Sequence, residues 1–212
     1  MDLFTAVLQG VPLTLGITAA SFTLGALLAV PLAAGLRAGH PLARLPVRAV
    51  VDLVRAIPIL VWLFLLYFGL SVGEIRLDAV QAAILTLAGV SAAYLAETYR
   101  GAVAAVDPGQ WEATRALALP RTAAFVTVVA PQAARIALPS VTTFALTLLK
   151  DSSIPSVIGV TEIAFHTVEE ARSTGHGLPA YGVAVALYIA ISVPVALLSR
   201  YLDHRLRKKV AR

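Results

Sequence analysis

Between residues 12 and 36 the chain carries no charged side chain, and three further stretches, 50–70, 79–99 and 180–199, carry at most two each. A helix needs about 20 predominantly apolar residues to cross the hydrocarbon core of a bilayer. Inside that core every backbone amide must find its partner within the protein, so uninterrupted runs of this length predict membrane-spanning helices. A fifth crossing is expected between 122 and 168, where Pro131, Arg135, Pro139, Lys150, Asp151 and Pro155 interrupt the apolar residues. That pattern predicts an elbow, a short helix over about 136–149, and a broken return. The composition agrees, at 58% hydrophobic and 14% charged residues with a mean hydropathy of +0.83. The expected fold class is all-α, a polytopic membrane protein with about five transmembrane helices in one domain over 1–212. The first run exceeds the apolar core of a secretory leader, and MDLFTAVLQG before it lacks a basic segment, so it is expected to stay in the mature protein.

Seventeen basic against twelve acidic residues give a formal charge of +5. The bases lie between and after the apolar runs, where juxtamembrane charges belong, so nucleic acid is not the expected partner. Placing the N-terminus outside puts 14 of the 17 bases on the cytoplasmic side, leaving Arg76, Lys150 and Arg172 outside. Cytoplasmic loops of membrane proteins are enriched in Lys and Arg, so this orientation is expected, with the C-terminus cytoplasmic. The chain has no cysteine, which removes disulfides, thiolate metal sites and cysteine nucleophiles. His40, His166, His176 and His204 have no metal-ligand spacing, and no metal site is expected.

The most polar interruption is VDPGQWEATRALALPRTAAFVTVVAP, residues 106–131. Asp107 is a good N-cap, Pro108 suits the first helical position, and Gln110 falls where a capping-box partner belongs. Pro120 is expected to end the helix, because the residue before a proline is pushed out of the helical region. About a dozen residues are too few for a stable isolated helix, so the segment must dock on something. On the predicted topology it is cytoplasmic.

Small residues recur every fourth position at Ser21, Gly25, Ala29 and Ala33, and again at Ala88, Ala92 and Ala96. Such stripes let helix backbones approach closely in lipid, although an alanine-rich chain also produces the spacing by chance. Arg55 and Arg100 flank spans on the inner side and can snorkel. Glu97 lies one turn before Arg100, which suggests a local ion pair. Lys150, Asp151, Ser152 and Ser153 interrupt an apolar run. Broken helices with polar ends build ion and zwitterion sites in transporters, so Asp151 either meets a substrate ammonium or pairs with Lys150. Glu162 is a second candidate for substrate contact. Glu169, Glu170 and Arg172 read as a solvated cluster that could also touch an external protein.

No Gly-x-x-x-x-Gly-Lys-Ser/Thr phosphate loop, Gly-x-Ser-x-Gly elbow or His-Glu-x-x-His helix occurs. Chemistry on a substrate is not expected, and the usual ATP-binding cradle is not supplied by this sequence.

The central stretch resembles the EAA loop of permease subunits in bacterial ABC importers, whose pattern is Glu-Ala-Ala, three residues, Gly, nine residues, Ile, any residue, Leu, Pro. Glu112, Ala113 and Pro131 match it, while Thr114, Ala118, Val128 and Ala130 replace alanine, glycine, isoleucine and leucine. The wider chain resembles the polar amino acid branch of these permeases. Gly10 with Thr14-Leu15, Arg55-Ala56-Ile57-Pro58, Ala93-Tyr94-Leu95-Ala96-Glu97 and Tyr99-Arg100-Gly101 occur in order. Gly109 to Ala113, Pro131-Gln132-Ala133, Arg135 and Pro139 follow, and Lys150-Asp151-Ser152-Ser153 with Glu162-Ile163 stands where the branch has Lys-Asp-Thr-Ser-Leu and Glu-Leu.

The resemblance implies a non-catalytic permease of the bacterial cytoplasmic membrane, forming the pathway of an ATP-driven importer for polar amino acids by alternating access. Another small zwitterion such as ectoine or an opine is the alternative cargo. A gradient-driven secondary transporter and a membrane scaffold are the alternative classes. The implied partners are cytoplasmic ABC ATPase subunits that bind ATP and Mg, a second permease subunit, identical or different, and an extracytoplasmic solute-binding protein. Over about 106–121 the loop would form the coupling helix, through Asp107, Gly109, Gln110, Glu112, Ala113, Arg115, Ala118 and Pro120. Lys150, Asp151, Ser152, Ser153 and Glu162 would line the gate or pathway. Arg55, Pro58, Glu97, Arg100 and Pro131 would be structural.

Overall fold

The computed structural model describes residues 2–69, 76–175 and 177–208 and contains no strand among them. The far end of the expected span at residue 70, His176, and Lys209 and Arg212 of the basic tail lie outside the described residues. In chain order the helices are α1 (Leu3–Leu8), α2 (Val11–Leu36), α3 (Pro41–Ala56), α4 (Ile59–Phe64), α5 (Ala79–Ala104), α6 (Pro108–Ala116), α7 (Arg121–Ala123), α8 (Ala130–Asp151), α9 (Ile163–Thr174) and α10 (Gly177–Lys208). π-helical segments extend α4 over Leu65–Gly69 and join α7 to α8 over Ala124–Val129, and a 3₁₀ turn covers Ile154–Ile158. Four stretches are long and apolar enough to cross a membrane, Leu3–Leu36, Ala79–Ala104, Arg121–Ile158 and Gly177–Leu197, and the bent pair Pro41–Ala56 and Ile59–Gly69 makes a fifth.

The second crossing corrects the expectation of one continuous span over 50–70. It bends by 101° between α3 and α4. Pro58 has no N–H to donate, and Ile57 before it sits in the extended region at φ −93°, ψ 133°. The break frees carbonyls that lipid cannot satisfy. The Trp62 indole N–H donates to one of them, the Val54 carbonyl, at 3.1 Å.

The fourth crossing departs in the opposite sense and is more continuous than expected. Arg121 to Asp151 runs on through the π-helical segment with no elbow, and α8 begins at Ala130 instead of 136. Pro131 falls where the run passes from π-helical to α-helical bonding, and the wider π turn accommodates a residue without an N–H, so it does not break the run. The expected break comes after Asp151, where the chain turns through the 3₁₀ segment to Gly159 at φ +89°.

Helices α2 and α5 form the central pair, and the small residues of both stripes face it. Ser21, Gly25, Ala29 and Ala33 are buried, as are Ala88, Ala92 and Ala96. A β-carbon on Gly25 would lie 2.4 Å from Cβ of Ser91 and 2.9 Å from the Ala88 carbonyl oxygen. Lipid tails give apolar side chains no incentive to leave them, so this close approach, and the dispersion contacts it brings, holds the pair together. The Ser21 hydroxyl adds a hydrogen bond across it to the Ile84 carbonyl, at 3.3 Å. Helices α3 and α8 pack on α5, and α10 packs on α8, α9 and α1.

Candidate functional site

Helix α6 begins as expected on Asp107, whose Oδ1 accepts the Gly109 N–H at 2.7 Å, with Pro108 in the first position. The capping box does not form. Gln110 turns instead to α8, where its Oε1 accepts from Nε2 of Gln132 at 3.0 Å. The helix also ends earlier than expected, at Ala116, before Pro120. Ala118 adopts φ +51°, the Leu119 N–H reaches back to the Thr114 carbonyl at 3.0 Å, and the Ala118 N–H reaches the Arg115 carbonyl at 3.0 Å. These two bonds make a Schellman stop, which satisfies the last carbonyls through a left-handed residue.

One side of α6 faces its own protein. Trp111 packs against a buried cluster of Ala102, Val106, Val129, Ala133 and Ala137, and Thr114 is buried beside it. Asp107, Gly109, Gln110, Glu112, Ala113, Arg115, Ala118 and Pro120 are exposed. The helix is thus a knob seated on the end of α5 and the start of the α7–α8 run, with a mixed-charge outer face.

Near the same end of α5, Glu97 joins two helices. Its Oε2 accepts from Nε of Arg100 at 2.7 Å, the local pair expected, and its Oε1 accepts from Nη1 of Arg48 on α3 at 2.6 Å. The second bond spans 49 residues and has no local sequence signature. Arg55 lies over the Tyr94 ring, 5.0 Å from its centroid, and Tyr94 stacks on Phe144 of α8 at 5.7 Å. A guanidinium is attracted to the negative face of an aromatic ring, which gives Arg55 a partner within the protein.

A groove of about 520 Å³ runs between α5 and α8, lined by Tyr94, Thr98, Ser140, Thr143, Phe144, Thr147 and Asp151 among others. Thr143, Thr147 and Asp151 are spaced four apart, so they fall on one stripe of α8. The two threonine hydroxyls donate to carbonyls one turn back, Pro139 at 3.0 Å and Thr143 at 3.2 Å, and present oxygen lone pairs to the groove. Asp151 closes the stripe. Both contact ion pairs among the described residues belong to Glu97, and Lys150 acts on Asp151 only as a neighbouring charge without a contact pair. Adjacent residues on a helix point apart, and Lys150 is exposed.

The other gate candidates divide. Ser152 and Ser153 donate to the Leu149 and Lys150 carbonyls, each at 2.7 Å, and so cap the end of α8. Glu162 is fully buried as the N-cap of α9, and it does not line the groove. Glu169 and Arg172 line a second cavity of about 630 Å³ with Ser156, Val157 and Phe165. Two further helix caps are not expected from the sequence. Asp78 and Gln81 form a full capping box at the start of α5, and Nδ1 of His40 accepts the Leu42 N–H at the start of α3.

Residues 21–208 match the family described as binding-protein-dependent transport system inner membrane component. The arginine ABC transporter permease protein ArtQ of Haemophilus influenzae is 34% identical over 198 residues, 90% of this chain and 87% of that protein. A probable amino-acid ABC transporter permease protein of Bacillus subtilis, YckA, is 32% identical over 205 residues, 97% of this chain and 91% of that protein. Among solved structures, a crystal structure of an amino acid ABC transporter with histidines superposes with a TM-score of 0.89 at 28% identity, covering 97% of this chain and 99% of that one. A knob helix, a bent second crossing and a grooved fourth crossing therefore sit in a fold shared nearly end to end. The chain belongs to the inner membrane components of binding-protein-dependent transport systems, as a permease of the ABC transporter class.

Proposed function

We propose that the chain forms the pathway by which an ATP-driven importer carries polar amino acids across the bacterial cytoplasmic membrane. The observation that carries this reading is a single helical run, Arg121 to Asp151, that touches the knob α6 at one end and bears the polar groove stripe to its other end. Cytoplasmic ATPase subunits binding ATP and Mg would seat on the exposed face of α6, with Glu112 near its positive N-terminal end. Their closure would move α6, and Trp111 and the bond from Gln132 to Gln110 would pass that motion to α8. A second permease subunit would complete the pathway across the groove, and an external solute-binding protein would deliver cargo on the side of Asp151. The N-terminus lies outside and the C-terminus inside on this reading. Arg55, Pro58, Glu97, Arg100 and Pro131 shape and brace the helices that carry the groove. Lys150, Ser152 and Ser153 belong to the gate through the end of α8.

A carboxylate near hydrocarbon costs about 3 kcal/mol on insertion scales, so its presence needs a use. At the end of a hydroxyl-lined groove Asp151 can accept from a substrate ammonium. Charge-assisted hydrogen bonds of this kind contribute about 1.5–3 kcal/mol, or roughly ten- to a hundred-fold in rate when lost. In proteoliposomes holding the permease, its ATPase and its binding protein, a radiolabelled mixture of polar amino acids should enter only with ATP. Asp151→Ala should lower that uptake at least about ten-fold while the assembly still purifies intact. Uptake that follows an ion gradient without ATP would contradict the reading, and unchanged kinetics in Asp151→Ala would remove that residue from the pathway.

A further inference from the structure

Glu162 has no solvent exposure and no place in the groove, yet both of its carboxylate oxygens are engaged. Oε1 accepts the Phe165 N–H at 2.9 Å, and Oε2 accepts the Tyr188 hydroxyl of α10 at 3.0 Å. The backbone beside it is locked to a third helix. The Ile163 N–H donates to Oγ1 of Thr14 at 3.2 Å, and that hydroxyl donates to the Gly10 carbonyl at 3.0 Å. A β-carbon on Gly10 would lie 2.4 Å from the Glu162 carbonyl carbon and 2.4 Å from the Ile163 nitrogen, so the start of α2 meets this turn backbone to backbone. A buried carboxylate is stable only when its oxygens are satisfied, and here the groups that satisfy it come from α9 and α10 while α2 grips the adjoining peptide.

We propose that Glu162 is a positioning residue of the outer gate, a buried pin that fixes the turn between α8 and α9 against α2 and α10. The pin holds the segment that follows Asp151, so the end of the groove keeps one geometry through each cycle. It acts without touching the cargo. The proposal rests on the importer reading and adds to it the residue that keeps the gate stiff. A stiff gate converts each closure of the ATPases into one transfer, whereas a loose one lets the cycle run without delivery.

The fully assembled transporter in proteoliposomes tests this, with Tyr188→Phe, Glu162→Ala and Glu162→Gln compared with wild type. The probe is whichever amino acid of the radiolabelled mixture wild type carries. Tyr188→Phe should raise the ATP hydrolysed per solute moved by about five-fold, the effect of losing one modest hydrogen bond, and Glu162→Ala, which loses two, by more than that, with the half-saturating concentration of loaded binding protein unchanged in both. Glu162→Gln keeps an acceptor for Phe165 and an amide that can donate to the Tyr188 oxygen, so it should recover most of the coupling. If Glu162→Ala fails to assemble, Tyr188→Phe and Glu162→Gln decide. A raised half-saturating concentration in Glu162→Gln would make Glu162 a cargo contact and overturn the pin. So would ATP hydrolysis and uptake falling in step in Tyr188→Phe, which marks a purely structural loss. An ATP-responsive wild type that Tyr188→Phe and Glu162→Ala both match defeats the pin alone, and a wild type indifferent to ATP defeats the importer reading and the pin with it.

Discussion

Ala118 holds a backbone conformation that glycine adopts freely and a β-carbon resists. At φ +51° it is the left-handed residue that stops α6, and it stands where the EAA pattern has glycine. Left-handed geometry costs an L-residue roughly 1–2 kcal/mol, while a glycine there gives back about 0.4–1 kcal/mol in unfolded-chain entropy. Ala118→Gly should therefore stabilise the stop by about 0.5–1 kcal/mol and slow hydrogen exchange at the Leu119 amide two- to five-fold. Equal or faster exchange would place the strain elsewhere. The residues around it mark how far local sequence carries. Asp107 and Pro108 are legible because a cap is made within one turn. Gln110 is not, since its partner Gln132 is 22 residues away and outcompetes the capping box. Glu97 is half legible for the same reason, with Arg100 one turn on and Arg48 on another helix.

Apolar length predicts which segments cross, and length is indifferent to where a proline falls within a run. The stretch over 50–70 has enough apolar residues to cross unbroken, yet Pro58 divides it because Ile57 must leave the helical region and Trp62 is in reach to satisfy Val54. Pro131 is the converse case. The π-helical turn just before it absorbs the missing N–H, so the expected elbow is absent. The same contrast governs the candidate site. Asp151 stands out in the sequence as a charge in an apolar run, whereas the buried engagement of Glu162 depends on Gly10, Thr14 and Tyr188, which only the tertiary fold assembles. The central α2–α5 pair gives a sharp test of the small-residue stripes. Gly25→Ala should destabilise the purified protein by about 1–3 kcal/mol, because the new methyl overpacks against Ser91. Adding Ser91→Gly removes one of the two close contacts and should restore part of the loss. A Gly25→Ala protein with unchanged thermal stability would mean that the pair does not depend on this approach.

At the scale of the molecule, the knob, the grooved helix and the turn after Asp151 form one connected path. α6 is seated by Trp111, α8 runs from that seat to Asp151, and the turn after it is tied to α2 and α10 through Glu162. Such a path transmits motion only if the free face of α6 is held by a moving partner on the inner side of the membrane. The absence of cysteine makes that directly measurable. A single Ala113→Cys, on the exposed face of α6, should react with a membrane-impermeant maleimide from the cytoplasmic side only, and should be shielded once the ATPase subunits assemble. Thr174→Cys, at the end of α9, should react from the opposite side. Labelling of Ala113→Cys from the outer side, or labelling from the inner side that the assembled ATPase leaves unchanged, would contradict the account.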